Sequence, residues 1–134
     1  MADLKRLLVT GSRTWADKQM MRDALRMAYV ALAWGEGVRR DVVLVHGGAR
    51  GADSMAGELW SFGNLRVEIH EAQWRAHGVY NPHAGIGRNQ KMVELGADLC
   101  LAFIHNGSRG ATDCAARAER AGIPVRYYRQ GGAV

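Results

Sequence analysis

The chain has 134 residues, of which 48% are hydrophobic and 23% charged, with only two prolines and two cysteines. This profile is typical of an ordinary globular protein. It excludes a disordered chain, a disulfide-held miniprotein and a multidomain machine. We therefore predict one domain over residues 1–134, with its core at about 5–128.

The net charge of +5 comes from 18 basic and 13 acidic residues, and all but three of the basic residues are arginine, which suits phosphate and carboxylate ligands. These residues are scattered, with no run longer than Arg39–Arg40, so a nucleic-acid-binding face is not favoured. The two cysteines lack metal-ligand spacing, and no segment suggests a secretion signal or a membrane span. We expect a cytoplasmic protein with no metal, no cofactor and no membrane partner.

Apolar runs alternate with helical periodicity through the first half of the chain. The apolar runs predict strands at residues 7–10, 42–46 and 67–70. A helix capped by Asp17 is predicted between the first two strands, and a second helix is predicted from Ala52 or Asp53 to Gly63.

The second half opens with a long connection at residues 72–87, a length that in compact proteins usually has a functional role. We then predict a helix at 88–95, a central strand at 99–104, a helix at 113–121, a strand at 125–128 and a loose tail at 130–134. Alternating buried strands and helices predict an α/β fold, a Rossmann-like doubly wound three-layer sandwich with a mainly parallel sheet of about five strands.

Three glycine-containing turns, at residues 11–13, 47–53 and 106–113, each follow a predicted strand and each contain an arginine. Because parallel strands end at one edge of a sheet, we expect these turns to meet there. Glycine allows close approach of the backbone, and the helix starts offer free N–H groups to an anion, so the turns predict a cradle for phosphate and sugar hydroxyls. The chain lacks GxGxxG and GxxxxGK[ST], which disfavours ordinary NAD binding and P-loop phosphoryl transfer.

The segments VTGSRTW at 9–15, VHGGARGAD at 45–53, AQW at 72–74 and GRNQKM at 87–92 together resemble the YspA/YpsA-related branch of the SLOG superfamily. This superfamily includes the Rossmann domain of DNA-processing protein A and the Lonely Guy phosphoribohydrolases, which cut the N-glycosidic bond of a nucleoside monophosphate. The resemblance spans roughly residues 5–128 and implies a nucleotide-related ligand at the glycine-lined edge.

The Lonely Guy enzymes also suggest two catalytic residues. Their arginine at an RKxxM-like helix start is similar to Arg88, followed here by Lys91 and Met92. Their glutamate, which follows a GGxGT loop, has Asp113 as its nearest counterpart in this chain. The resemblance therefore implies, as an alternative, a nucleotide N-glycosidase in which Arg88 holds the phosphate and Asp113 acts as the carboxylate.

The leading hypothesis is binding of a nucleotide or nucleotide-derived small molecule, such as a signalling nucleotide. Asp53 has two alternative roles, a helix cap or a ligand contact, and Trp74 either stacks on a base or holds its loop against the core. A nucleic-acid-associated module is the second alternative, and analogy with relatives of this fold suggests a homodimer. The predicted nucleotide-binding residues are Gly11, Ser12, Arg13, Gly47, Gly48, Arg50, Gly51, Asp53, Trp74, Arg88, Asn89, Gly110 and Thr112.

Overall fold

A computed structural model describes residues 4–130, apart from the side chain of Ala76. These residues form a five-stranded sheet and four α-helices, together with one 3-10 turn at Ala76–Gly78. The elements in chain order are β1 Lys5–Gly11, α1 Lys18–Trp34, β2 Val42–His46, α2 Ala52–Ser61, β3 Val67–Ile69, α3 Ala84–Glu94, β4 Leu99–Ile104, α4 Arg109–Arg120 and β5 Val125–Arg129.

The sheet has the order β3-β2-β1-β4-β5, and every strand pair is parallel. The predicted Rossmann-like α/β fold is therefore confirmed. The prediction that residues 99–104 form the central strand is wrong, because β1 occupies the centre and β4 lies beside it. The three inner strands are all apolar because they are buried on both faces of the sheet. The apolar pattern therefore does not distinguish the middle strand from its neighbours.

Two helices cover each face of the sheet. On one face, α1 and α2 pack over a core that includes Trp15, Trp60 and Phe103. On the other face, α3 and α4 cover a smaller core that includes Met92 and the two cysteines. Both cysteines are buried and unpaired, as expected for reduced thiols. No helix among the described residues is long and apolar enough to cross a membrane.

Helix α1 begins as predicted, because the Asp17 side chain accepts a hydrogen bond from the Met20 N–H at 3.0 Å. The predicted starts of the last two helices are wrong. Helix α3 begins at Ala84 and α4 at Arg109, four residues before the predicted starts in both cases. Helix propensity is low at their glycines, but packing between α3 and α4 stabilises the early turns.

The chain beyond β5 is described only as far as Gln130, and the rest of the predicted tail, residues 131–134, lies outside the described residues. The Gln130 side chain accepts hydrogen bonds from the N–H groups of Ala16 and Asp17. Gln130 thus joins the end of β5 to the start of α1.

An ion pair ties β3 to the centre of the sheet. The Glu68 carboxylate accepts hydrogen bonds from the Arg6 guanidinium at 2.7 and 3.2 Å, and it lies 2.6 Å from the His70 ring nitrogen. These contacts, mainly the one with Arg6, lower the pKa of Glu68 to about 2.

We expect Glu68→Gln to lower the free energy of unfolding at pH 7 by about 1 kcal/mol, a modest value because the partly exposed ion pair is screened by water. A carboxylate whose pKa is lowered by folding stabilises the protein above its ordinary pKa, and this contribution is lost as the pH falls towards 2. Urea unfolding at several pH values tests this expectation. The exposed Glu71→Gln is the control, and equal effects of the two substitutions at pH 7 would contradict it.

Candidate functional site

A cavity of about 470 Å³ opens at the carboxyl edge of the sheet. It lies where the strand order reverses, because the chain adds β2 and β3 on one side of β1 and then β4 and β5 on the other. We call it the carboxyl-edge cavity. It is lined by residues 10–14, which end and follow β1, and by Ala49 and Asp53. The chain after β4 contributes His105, Asn106, Ser108, Gly110 and Ala111, and the opposite wall consists of Trp74, Pro82, Gly85, Ile86, Arg88 and Asn89.

A second hollow of about 360 Å³ adjoins the cavity. It is lined by the turn after β2, residues 47–50, and by Glu71 and Ala72 from the chain after β3. The two spaces share four lining residues, namely Arg13, Ala49, Trp74 and Arg88. The structure therefore brings together residues from all three glycine-containing turns.

Asp53 is the buried carboxylate of the cavity, with 5% of its surface exposed. Its Oδ2 accepts hydrogen bonds from the N–H groups of Gly47 at 3.1 Å and Ala49 at 3.3 Å. Its Oδ1 is buried without a hydrogen-bond partner among the described residues. Burial raises the pKa of Asp53 to about 6, even though the two N–H groups and the nearby Arg88 favour the charged form.

The predicted role of Asp53 as a helix cap is wrong, because α2 begins at Ala52 and Gly51 occupies the N-cap position. Asp53 lies in the first turn and bonds backwards to the loop after β2. Its side chain therefore fixes the shape of this loop, and its second oxygen is left for another donor.

Arg88 lies in the second turn of α3 and reaches across to the turn after β2. Its guanidinium donates hydrogen bonds to the carbonyl oxygens of Gly47 and His70 and, through Nε, to the Asn89 side chain at 3.0 Å. A Cβ atom at position 47 would overlap this guanidinium, so only glycine allows the contact. Burial, with the positive charge of Arg88 as the second cause, lowers the pKa of His46, whose Nδ1 accepts a hydrogen bond from the Gly48 N–H.

Asn89 and Asp113 link α3 to α4. Asn89 is 4% exposed, and its side-chain amide donates to the Gly110 carbonyl at 3.3 Å and to the Asp113 carboxylate at 3.2 Å. The same carboxylate accepts a hydrogen bond from Arg117 at 2.9 Å. Asp113 is not among the residues that line the cavity, where Asp53 is the carboxylate present.

The first turn of α4 opens on the cavity. Ser108, Gly110 and Ala111 line it, and the Ser108 side chain makes no capping hydrogen bond. The N–H groups at such a helix start attract anions. Thr112 does not line the cavity, because its hydroxyl donates to the Ser108 carbonyl at 2.6 Å.

The turn after β1 is held against α2 and the end of β4 by contacts of Gly11, Ser12 and Gly51. The Ser12 hydroxyl accepts the His105 N–H at 2.7 Å and donates to the His105 carbonyl at 3.0 Å. The Ser12 carbonyl accepts the Ala52 N–H at 3.1 Å. Gly11 and Ser12 line the cavity, whereas Gly51 lines neither space and packs against the backbone of Arg13.

The side chains of Arg13 and Trp74 lie at the rim of both spaces, and Arg50 lines only the second hollow. Trp74 stacks on Tyr80 with ring centroids 6.4 Å apart and contacts Gly85. The predicted turns already contained Ala49, Asn106, Ser108 and Ala111, but sequence reasoning did not single out His105, Pro82 or Ile86. His105 could have been found because it follows β4 directly, whereas Pro82 and Ile86 carry no comparable signal.

We expect Gly51→Ala to destabilise the protein by about 3 kcal/mol. Gly51 has φ of +79°, and an added Cβ would also overlap the carbonyl oxygens of Ser12 and Arg13. Gly37→Ala is the matched control, because Gly37 has φ of +77° with open space around it and should cost only about 1 kcal/mol. Urea unfolding measures both values, and similar costs would contradict the packing role of Gly51.

Because the pKa of Asp53 is raised, the difference in unfolding free energy between the unaltered protein and Asp53→Asn should depend on pH. Because folding raises this pKa from 3.8 to about 6, the folded state holds the proton longer, and stability is lost as the pH rises from 4 to 7. Over this range, the free energy of unfolding should fall by about 2 kcal/mol relative to that of Asp53→Asn. Chemical unfolding at each pH measures the difference, with Asp23→Asn on α1 as the control. A constant difference would contradict the burial of this carboxylate.

The sheet order and the cavity at its reversal point define a Rossmann-like domain with a cavity at the carboxyl edge. The chain matches the YspA, cpYpsA-related SLOG family (YAcAr) over residues 5–77, more than half of its length, and it belongs to this family. The match includes the turns after β1 and β2 and Trp74, whereas Arg88, Asn89 and Gly110 lie beyond it.

The chain is also similar to the Gene 61 protein of Mycobacterium phage D29. The two are 42% identical over 128 residues, which cover 91% of this chain and 94% of the relative. Among solved structures, the chain is similar to the C-terminal domain of a hydrogenase from Pyrococcus furiosus. The sequence identity is 17%, the TM-score is 0.43, and the likeness covers 92% of this chain and 90% of the other.

Proposed function

We propose that this protein binds a nucleotide or nucleotide-derived small molecule in the carboxyl-edge cavity. One observation carries this proposal: a single cavity combines two arginines, a buried carboxylate with one oxygen that lacks a partner among the described residues, and a helix start without a side-chain cap. A nucleotide offers matching groups, namely a phosphate, sugar hydroxyls and a planar base. Membership of the SLOG family supports a nucleotide-related ligand in general terms.

The phosphate is assigned to the start of α4. Gly110 lines the cavity there, and a Cβ added to it would meet open space, so a ligand can approach the backbone closely. Arg13 and Arg88 supply positive charge at the same cavity. Asn89 supports this arrangement indirectly, because its amide holds the Gly110 carbonyl.

Sugar hydroxyls are assigned to Asp53 and the base to Trp74. Asp53 lines the cavity, and its buried Oδ1 atom has no donor among the described residues, so a sugar hydroxyl that reaches this carboxylate can supply one. Trp74, together with Pro82 and Ile86, forms an apolar wall on which a base can lie. The cavity volume of about 470 Å³ lies in the usual range for small-molecule sites.

We do not extend the proposal to N-glycosidic cleavage. That alternative depends on Asp113, whose carboxylate is hydrogen-bonded to Asn89 and Arg117 outside the cavity. Nor do we extend it to nucleic acid, because the cavity contains singly placed arginines and not a continuous basic stripe.

The proposal is tested by thermal unfolding with nucleoside mono-, di- and triphosphates, cyclic nucleotides and dinucleotides. A ligand at 100 times its dissociation constant should stabilise the protein by about 2.7 kcal/mol. Gly110→Leu should abolish the shift, because the leucine side chain fills the cavity. Gly87→Leu is the matched control, since Gly87 is also helical with open space around it but lies outside the cavity. If no member of the panel shifts the unfolding temperature, the proposal is wrong.

Arg13→Ala should weaken binding of any phosphate-containing ligand about tenfold, which corresponds to the loss of one charge-assisted contact. Arg66→Ala is the control, because this arginine is exposed just before β3, at the opposite edge of the sheet. Isothermal titration measures both affinities. Equal affinities in the two variants would place the phosphate away from Arg13.

A further inference from the structure

A groove of about 400 Å³ lies between α1 and the end of α2, away from the carboxyl-edge cavity. We call it the α1–α2 groove. It shares no lining residue with the carboxyl-edge cavity or with the hollow beside it. Its volume falls in the range of small-molecule sites.

One rim of the groove is basic. Lys18, Arg22 and Arg26 line it and repeat every four residues, so they follow one face of α1 over about 12 Å. Among the residues that the structure describes, Lys18 and Arg26 form no ion pair, and Arg22 contacts only the Gln19 amide, at 3.5 Å. None of the described residues that line the groove is acidic. No ion pair among the described residues therefore neutralises the positive charge of this rim.

The rest of the groove is apolar. Leu25 and Trp60 are buried at its base, and Leu59 and Leu65 contribute aliphatic surface. Phe62 closes one end with 91% of its surface exposed. An aromatic side chain this exposed beside apolar neighbours is typical of a binding surface.

We propose that the α1–α2 groove binds an amphiphilic anion, a carboxylate or phosphate carried on an alkyl or aromatic body. Basic and apolar residues line different parts of the groove, which supports this class of ligand. The anionic group can contact the basic rim while the apolar body covers Leu59 and Phe62. A second copy of this chain does not fit, since two such grooves facing each other would bring their cations together. The proposal is independent of the ligand in the carboxyl-edge cavity.

The first experiment uses anilinonaphthalene sulfonate, an aromatic anion that fluoresces in apolar sites. Binding to the protein should increase the fluorescence emission of the dye. Decanoate and decyl phosphate should displace the dye at concentrations below those at which they form micelles. Comparison of these two competitors distinguishes a preference for carboxylate from one for phosphate. Decyltrimethylammonium has the same alkyl chain with a positive charge and should not displace the dye. The proposal would be overturned if decyltrimethylammonium displaced the dye as well as the anions do. It would also be overturned if an oligothymidylate, a single-stranded nucleic acid, displaced the dye more strongly.

Charge reversal locates the site. The double variant Arg22→Glu with Arg26→Glu should weaken decanoate binding about tenfold or more, because two attractive contacts become repulsive. The control is Arg120→Glu with Arg126→Glu, which makes the same change in net charge at exposed positions outside the groove. Phe62→Ser should also weaken binding without lowering the free energy of unfolding, because its side chain is exposed. If both double variants bind decanoate equally, the proposal is wrong.

A measurement on the unaltered protein tests the site without substitutions that could disturb the fold. In a decanoate titration followed by NMR, the amide resonances of Gly63 and Leu65 in the groove should shift, whereas those of Gly47 and Gly110 should not. The opposite pattern would place the anion in the carboxyl-edge cavity and overturn the proposal. If no nucleotide in the panel binds, the shifts caused by decanoate should still occur. Either proposal can therefore be wrong while the other holds.

Discussion

One guanidinium connects the parts of the candidate site that come from opposite faces of the sheet. Arg88 belongs to α3, and it is held by the carbonyl oxygens of Gly47 and His70 and by the Asn89 side chain. These hydrogen bonds within the protein hold its charge at the wall of the cavity. A binding site arranged in advance loses less entropy when its ligand arrives. The glycine at position 47 is required for this contact because any side chain there would overlap Arg88.

The buried carboxylate beside this arginine lowers the stability of the folded protein when it is charged. Burial disfavours the charged form of Asp53, and only one of its oxygens is hydrogen-bonded within the described residues. The protein tolerates this because the other oxygen fixes the loop after β2 through two N–H groups. Local destabilisation of this kind is characteristic of functional sites, where the missing partner is supplied by the ligand.

The strands could be predicted from the sequence because each inner strand is a short apolar run ending near a glycine or at a turn. The starts of α3 and α4 could not be predicted. Their first turns contain glycines, and neither His83 nor Ser108 forms a side-chain cap, so the usual local signals are absent. The two helices pack against each other, and Asn89 of α3 donates a hydrogen bond to the Gly110 carbonyl in the first turn of α4, a contact between residues 21 positions apart in the sequence.

The same limit applies to the candidate site. The glycine-containing turns identified the edge of the sheet, because parallel topology alone brings their positions together. Asp113 was predicted at the start of α4, beside the edge of the sheet, but the helix begins four residues earlier, so Asp113 lies one turn further along α4. Sequence reasoning therefore placed Asp113 at the cavity, whereas the structure places it between the two helices.

The two outer strands have a consequence for the behaviour of the protein in concentrated solution. Strand β3 has only three residues, one of them the charged Glu68, and β5 carries Arg126 and Arg129. A short or charged edge offers few unpaired backbone groups to a neighbouring molecule and penalises close approach. The sheet is thus protected against growth into intermolecular β-structure, and its open edges need not be covered by another chain.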